Sequence, residues 1–240
     1  MTRHIAMWSG PRNISTAMMR AFENRPDTHV SDEPLYAHYL AASGIDHPGR
    51  EAILASQSTD WRTVVEALCG EPPAGQDVWY QKHMTHHMLA VVGRRWMERV
   101  TNCFLIRDPH EVLASYVKRR ADVTLEDLGF PQQVELFDHV CQRLGAPPPV
   151  LDAKDVLLDP ERALGALCAA VDLPFSPAML QWPTGPRDTD GVWAPHWYDA
   201  VYASSGFGPY RSRARDYPKG LGRIADRAAA LYQRLWVHRL

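Results

Sequence analysis

The chain has 240 residues, 45% hydrophobic and 22% charged, with a formal net charge of -2. That composition suits one folded domain (1–240) with a real core and excludes a disordered chain. The near-neutral charge provides no global basic field for long nucleic acid, so any anion must be held locally. Cys69, Cys103, Cys141 and Cys168 are dispersed and form no CxxC pair. This argues against a disulfide or zinc framework and fits a reducing compartment, with Cys103 and Cys168 expected in the core. No charged-then-apolar leader and no apolar run of membrane-spanning length is visible, so a soluble cytoplasmic protein is expected, with no membrane partner.

In chain order, residues 4–8 read as a first strand, followed by a polar turn and a helix over 15–24. Residues 28–30 are a short second strand, and Pro34 opens a helix to Ala42. Residues 46–75 read as irregular helix ending in the linker GEPPAG. A third strand over 77–81 and a helix over 85–98 follow. The run TNCFLI (101–106) is a buried strand, after which Asp108, Pro109 and Glu111 supply an N-cap, an N1 proline and the acid of a capping box. That helix is expected to reach about Arg120. A helix over 131–144, a strand over 150–153 and a helix capped by Asp159-Pro160 complete a core of about 3–175. A loop-rich Trp/Tyr/Pro segment over 173–219 holds one short helix near 196–203, and an amphipathic helix over about 221–238 closes the chain. Strands alternating with helices predict an α/β fold: a parallel sheet of about five strands with helices on both faces. Ligands of such sheets bind beyond the carboxyl ends of the strands.

Beyond the first strand stands Ser9-Gly10-Pro11-Arg12-Asn13-Ile14-Ser15-Thr16. A tight turn into a helix N-terminus aims backbone N–H groups at one point, and Arg12 adds a planar donor fork. A plain strand-to-helix turn capped by serine explains the residues equally well. The Gly-Lys of a P-loop ATPase is missing, since Asn13-Ile14 precedes Ser15. Beyond the second strand, Glu33 reads as a helix cap or, facing the same cavity, as a general base. Beyond the third, Lys82 could reach a transferring anion. His83, His86 and His87 straddle a loop-to-helix junction without a completing carboxylate, so capping or substrate contact is favoured over metal. Beyond the fourth, Arg107 and Ser115 are spaced to hold one phosphate beside the helix. Pairing of Arg107 with Asp108 or Glu111 is the simpler alternative, and a Walker-B-like role of Asp108 on magnesium is a third reading that the capping box makes unnecessary.

Taken in order, these segments resemble the PAPS-dependent sulfotransferase family. Gly10 to Ala17 is similar to the family's 5′-phosphosulfate loop. Ile-Arg-Asp-Pro-x-Glu-x-x-x-Ser, carrying Arg107 and Ser115, is similar to its 3′-phosphate motif. Residues 154–161 through Leu173-Pro174-Phe175 are similar to the segment after its last core strand. The family loop usually has glycine where Ile14 stands, and cytosolic members have lysine where Arg12 stands.

The resemblance implies a P-loop nucleotide-kinase-like sulfotransferase fold and the donor 3′-phosphoadenosine 5′-phosphosulfate (PAPS, leaving as PAP), with no metal. It implies that Gly10, Pro11, Arg12, Asn13, Ile14, Ser15 and Thr16 hold the 5′-phosphosulfate and that Arg107 and Ser115 hold the 3′-phosphate. Lys219-Gly220 would close over that phosphate. Some members use a glutamate after the second strand as base, matching Glu33; others use a histidine after the third, near His83 or His86. The expected activity is sulfuryl transfer to a hydroxyl of a small-molecule acceptor. Trp182, Trp193, Trp197, Tyr198 and Tyr202 would line the acceptor site, or else pack the loop-rich segment or a homodimer contact. A kinase-like nucleotide transferase and a non-catalytic nucleotide-binding protein are the rival readings.

Overall fold

Five strands form one parallel sheet in the order β2-β3-β1-β4-β5. They are β1 (Arg3–Ser9), β2 (Thr28–Asp32), β3 (Val78–Met84), β4 (Thr101–Ile106) and β5 (Val150–Asp152). The computed structural model describes residues 2–73, 75–118, 120, 122–212 and 216–240. Ala74 of the GEPPAG linker, Arg119 near the expected end of the fifth helix, and 213–215 of the loop-rich segment lie outside the described residues. β1 is central, with Met7 opposite both Lys82 and Cys103, so its end opens between those of β3 and β4.

The helices follow from apolar spacing and caps. They are α1 (Ser15–Glu23), α2 (Tyr36–Ser43), α3 (Arg50–Ser56), α4 (Trp61–Leu68), α5 (Pro109–Tyr116), α6 (Phe130–Leu144), α7 (Ala153–Leu158), α8 (Pro160–Ala170), α9 (Ala194–Trp197), α10 (Asp199–Tyr202) and α11 (Gly222–Trp236). One sheet face, through Ile5, Met7, Tyr80, Cys103 and Leu105, packs on Met18 and Phe22 of α1 and Leu164 and Leu167 of α8. The other, through Ala6, Trp8, Phe104 and Ile106, packs on Val134 and Phe137 of α6 and Leu235 of α11. The sheet is therefore buried on both faces, which is why its strands read as near-continuous apolar runs.

Three expectations change. No α-helix spans 85–98: only 3₁₀ turns form, at Thr85–His87 and Arg95–Arg99. Between them the Arg94 guanidinium bonds the carbonyls of Met88, Leu89 and Val92, satisfying backbone groups that a helix would have paired. β3 runs on through Lys82 and His83 to Met84, so these residues sit in the strand rather than after it. The stretch after β5 forms α7, whose first turn is capped by Asp152 accepting from Lys154 N–H at 2.7 Å.

The segment after α8 is tied down by charge. Buried Arg20 of α1 holds Asp190 at 2.6 Å and Glu23 at 3.0 Å, and Gly191 N–H donates to Asp32 at 3.1 Å. The segment thereby stands over the ends of β2 and β3. Among the described residues, no helix is long and apolar enough to cross a membrane.

Candidate active site at the strand ends

The turn after β1 is shaped by local rules. At Gly10 a Cβ would lie 2.8 Å from the Leu128 carbonyl oxygen, so only glycine lets the two backbones meet. Arg12 turns the chain with φ of 57°, a left-handed value uncommon outside glycine. The Asn13 side chain donates to Leu105 O at 3.0 Å and accepts from Ile14 N–H at 2.9 Å, pinning the turn to the end of β4. Ile14 packs against the core. α1 then begins at Ser15 with no acid in its first turn, so its N-terminal N–H groups and dipole present positive potential.

A second group joins this turn to α5. Arg12 Nε donates to Ser115 Oγ at 3.0 Å, and Arg107 Nη1 donates to Arg12 O at 3.1 Å. Arg107 also donates from Nε and Nη2 to Glu111 Oε2, at 3.1 and 3.0 Å. The expected alternative pairing of Arg107 with Glu111 is thus present together with its bond to Arg12, which in turn bonds Ser115. Asp108 accepts from the N–H groups of His110 and Glu111, as its capping role requires.

A third group lies at the ends of β2 and β3. Buried Lys82 Nζ donates to Asp32 Oδ1 at 2.8 Å, Glu33 Oε1 at 2.5 Å and Tyr198 OH at 2.8 Å. Tyr198 donates in turn to Asp32 Oδ2 at 2.7 Å. Glu33 has φ of 42°, and its N–H bonds Lys82 O, so the chain bends sharply just where the carboxylate faces the lysine. Burial raises the Glu33 carboxyl above the usual carboxylate range, against the opposing pull of Lys82. Lys82 is held well above its ordinary value: its acidic neighbours outweigh the cost of burying it.

All three groups open on one cleft of about 890 Å³. Its far side is aromatic. Tyr36 and Tyr39 stack on His87 at 4.5 and 4.8 Å, and Trp193 and Trp197 of the loop-rich segment complete the wall. His87 Nδ1 is buried without a hydrogen-bond partner, 3.9 Å from Glu33 Oε2. Burial drives His87 well below its ordinary value and His86 down to about 4, so both are neutral at physiological pH.

The expected site residues divide accordingly. Pro11 to Thr16, Glu33, Lys82, Arg107 and Ser115 line the cleft. Gly10 lies behind the turn, against Leu128. His83 points to the opposite sheet face, stacked on Trp8 at 4.5 Å and tilted against Trp96, because strand alternation separates it from Lys82. Lys219 and Gly220 form a 3₁₀ turn at the base of α11 and do not line the cleft. Trp182 is a core residue, and Tyr202 packs near Tyr198 outside the cleft wall. Sequence reasoning gave Asp32 no more than a share in capping the next helix, and assigned no role to Tyr36 or Tyr39. The one available signal was Asp32-Glu33 at a strand end, where a second acid has no capping task.

A family model described as Sulfotransferase domain matches residues 3–218. The chain is 37% identical over 235 residues to branched-chain-amino-acid aminotransferase-like protein 1 of Arabidopsis thaliana, and 32% identical over 234 residues to the same plant's aminotransferase-like protein 2. Both matches take in 98% of this chain but only 42% and 41% of the relatives, so the chain spans less than half their length. Among solved structures it is similar to the sulfotransferase domain of the Synechococcus olefin synthase (13% identity, TM-score 0.53, 97% of this chain and 95% of that one). It is also similar to a sulfotransferase from Alicyclobacillus acidocaldarius (12% identity, TM-score 0.53, 100% and 97%). At such identities the likeness concerns the fold: a five-stranded parallel sheet flanked by helices.

Proposed function

This chain belongs to the sulfotransferase family, and from that premise we propose that its cleft transfers a sulfuryl group from PAPS to a hydroxyl of a small-molecule acceptor. The supporting observation is that the turn at Arg12, leading into the α1 N-terminus, and the buried carboxylate of Glu33 open on the same cleft, from the ends of β1 and β2. The acceptor oxygen attacks sulfur, and the bond from sulfur to the 5′-phosphate oxygen breaks in line. Glu33 takes the hydroxyl proton, and a sulfate ester and PAP leave. Arg12 and the α1 N-terminus stabilise charge growing on the leaving phosphate; one such donor is typically worth ~10²–10³ in rate. Arg107 and Ser115 take the 3′-phosphate.

Lys82 acts through Glu33. An ammonium has three N–H donors, and all three are engaged by Asp32, Glu33 and Tyr198. It is therefore a positioning residue that keeps the base ionised, rather than a direct ligand of the transferring group. His83 and Lys219-Gly220 have no part in this reading. The aminotransferase-like names belong to relatives more than twice as long, and are not carried over to this chain.

The test is titration calorimetry with PAP, followed by transfer of radiolabelled sulfate from PAPS to a library of hydroxylated compounds. PAP binding with labelled product is expected. Absence of PAP binding by folded protein overturns the reading, and binding without transfer to any acceptor reduces it to nucleotide binding.

A further inference from the structure

Arg107 stands between two cavities. It lines the large cleft and also a second cavity of about 220 Å³, which Glu111 and Tyr210 line without reaching the cleft. Glu111 therefore grips the guanidinium from behind. Its Oε2 accepts from Arg107 Nε and Nη2, and its Oε1 accepts from Tyr210 OH at 2.7 Å. The ion pair is largely buried, at 10% and 9% side-chain exposure. Lys154 lies 5.5 Å from the Tyr210 ring centre and holds that ring in turn.

A guanidinium carries five N–H donors in a rigid fork. Two go to Glu111 and one to Arg12 O, which leaves one N–H on each terminal nitrogen. That is the paired arrangement a phosphate accepts. We propose that Glu111 and Tyr210 are specificity-determining residues: they hold Arg107 so that the cleft prefers an adenosine nucleotide bearing a 3′-phosphate over one without it. Tyr210 belongs to the stretch 206–212, several of whose residues line the cleft. The Tyr210 bond that steadies Glu111 against Arg107 therefore also fastens that wall of the cleft to α5. The inference rests on the donor-site reading above.

The experiment is calorimetric titration of wild type, Glu111→Ala and Tyr210→Phe with two probes, PAP and AMP, which lacks the 3′-phosphate. Wild type is expected to prefer PAP. Glu111→Ala lowers PAP affinity by about tenfold, the loss of one charge-assisted bond, and leaves AMP affinity unchanged. Tyr210→Phe moves the PAP-to-AMP ratio the same way by a smaller factor, and a merely structural role would move both ligands together. Removing Glu111 leaves a buried charge unpaired and threatens folding; Tyr210→Phe, which keeps the ion pair, then carries the test. A wild type that prefers PAP alongside variants of unchanged ratio overturns this inference alone, as does tighter PAP binding by Glu111→Ala. A wild type that binds neither probe overturns the donor-site reading beneath it.

Discussion

Lys82 and Glu33 meet at 2.5 Å although 48 residues lie between them in the chain, and each is placed by backbone rather than by chance of rotamer. Lys82 is locked in β3 opposite Asp32 of β2, and the left-handed turn at Glu33 brings the next carboxylate to the same ammonium. Two acids converge on one cation, and Tyr198 closes the ring from the loop-rich segment. A single buried charge cluster thus holds Glu33, the proposed base, and the cleft wall together.

Lys82→Met is expected to be strongly destabilising, by about 3–5 kcal/mol, because it leaves buried carboxylates without their cation. Urea denaturation measures this directly. Adding Asp32→Asn to that variant should recover part of the loss, since one uncompensated charge is then gone. Additive losses would show that the two residues are not coupled.

Proton uptake by Glu33 requires its ionised form, so transfer rises with pH through the Glu33 pKa. Burial places that limb above the ordinary carboxyl value of 4.5. Any Lys82 variant that folds should move the limb higher still, because the neighbouring charge that opposes the burial effect is removed. The pH dependence of kcat/KM reports it; a limb at or below 4.5 excludes Glu33 as the base.

His83 gives the fold an acid-sensitive element independent of catalysis. Its folded-state value is pushed down to about 3 by burial, against 6.5 when unfolded. The unfolded chain therefore binds the proton first as pH falls. The stability contribution is complete above about pH 6.5 and is lost progressively toward pH 3, a window set by those two values. His83→Gln should flatten the fall of the urea midpoint between pH 6 and 4 while leaving PAP binding intact, since the ring does not face the cleft.

The framework was legible because its determinants are local. The apolar runs of β1 and β4 and the Asp108 cap of α5 are contiguous in the chain, and Asp108 bonds the N–H groups that the capping box requires. Glu33 and Arg12 were legible as the charged residues just past strand ends. The remainder depends on distant partners. Lys82 and His83 read as turn residues because polar groups seldom continue a buried strand, and what makes them tolerable lies far off: Asp32, Glu33 and Tyr198 for Lys82, Trp8 and Trp96 for His83. The false helix over 85–98 had helical spacing, but the Arg94 side chain took over its carbonyls. Tyr210 sits in a stretch without periodicity, and only the fold brings it to Glu111.

Gly10→Ala is expected to weaken both the fold and PAP binding. The added Cβ meets a backbone oxygen at 2.8 Å, and no flexible side chain can yield. The turn must shift, at a cost of ~1–3 kcal/mol typical of overpacking, and Arg12 moves with it. Titration should show a loss of at least about tenfold, the affinity equivalent of ~1.4 kcal/mol. Unchanged affinity would mean that the turn does not hold the nucleotide.

Arg12 separates stability from function most sharply. Its φ of 57° costs a residue with a side chain ~1–2 kcal/mol. Glycine adopts that angle freely, although it gives up roughly 0.5–1 kcal/mol to the unfolded chain's greater freedom. The two effects nearly cancel, so Arg12→Gly should fold with stability close to wild type despite losing the bond to Ser115. Arg12→Ala keeps the strain and loses the same bond, and should be the less stable of the two. Both lack the guanidinium and should lose PAP affinity alike, by well over tenfold. Denaturation and titration of the pair distinguish the contributions: equal stability would show that the turn is unstrained, and retained affinity would remove Arg12 from the donor site.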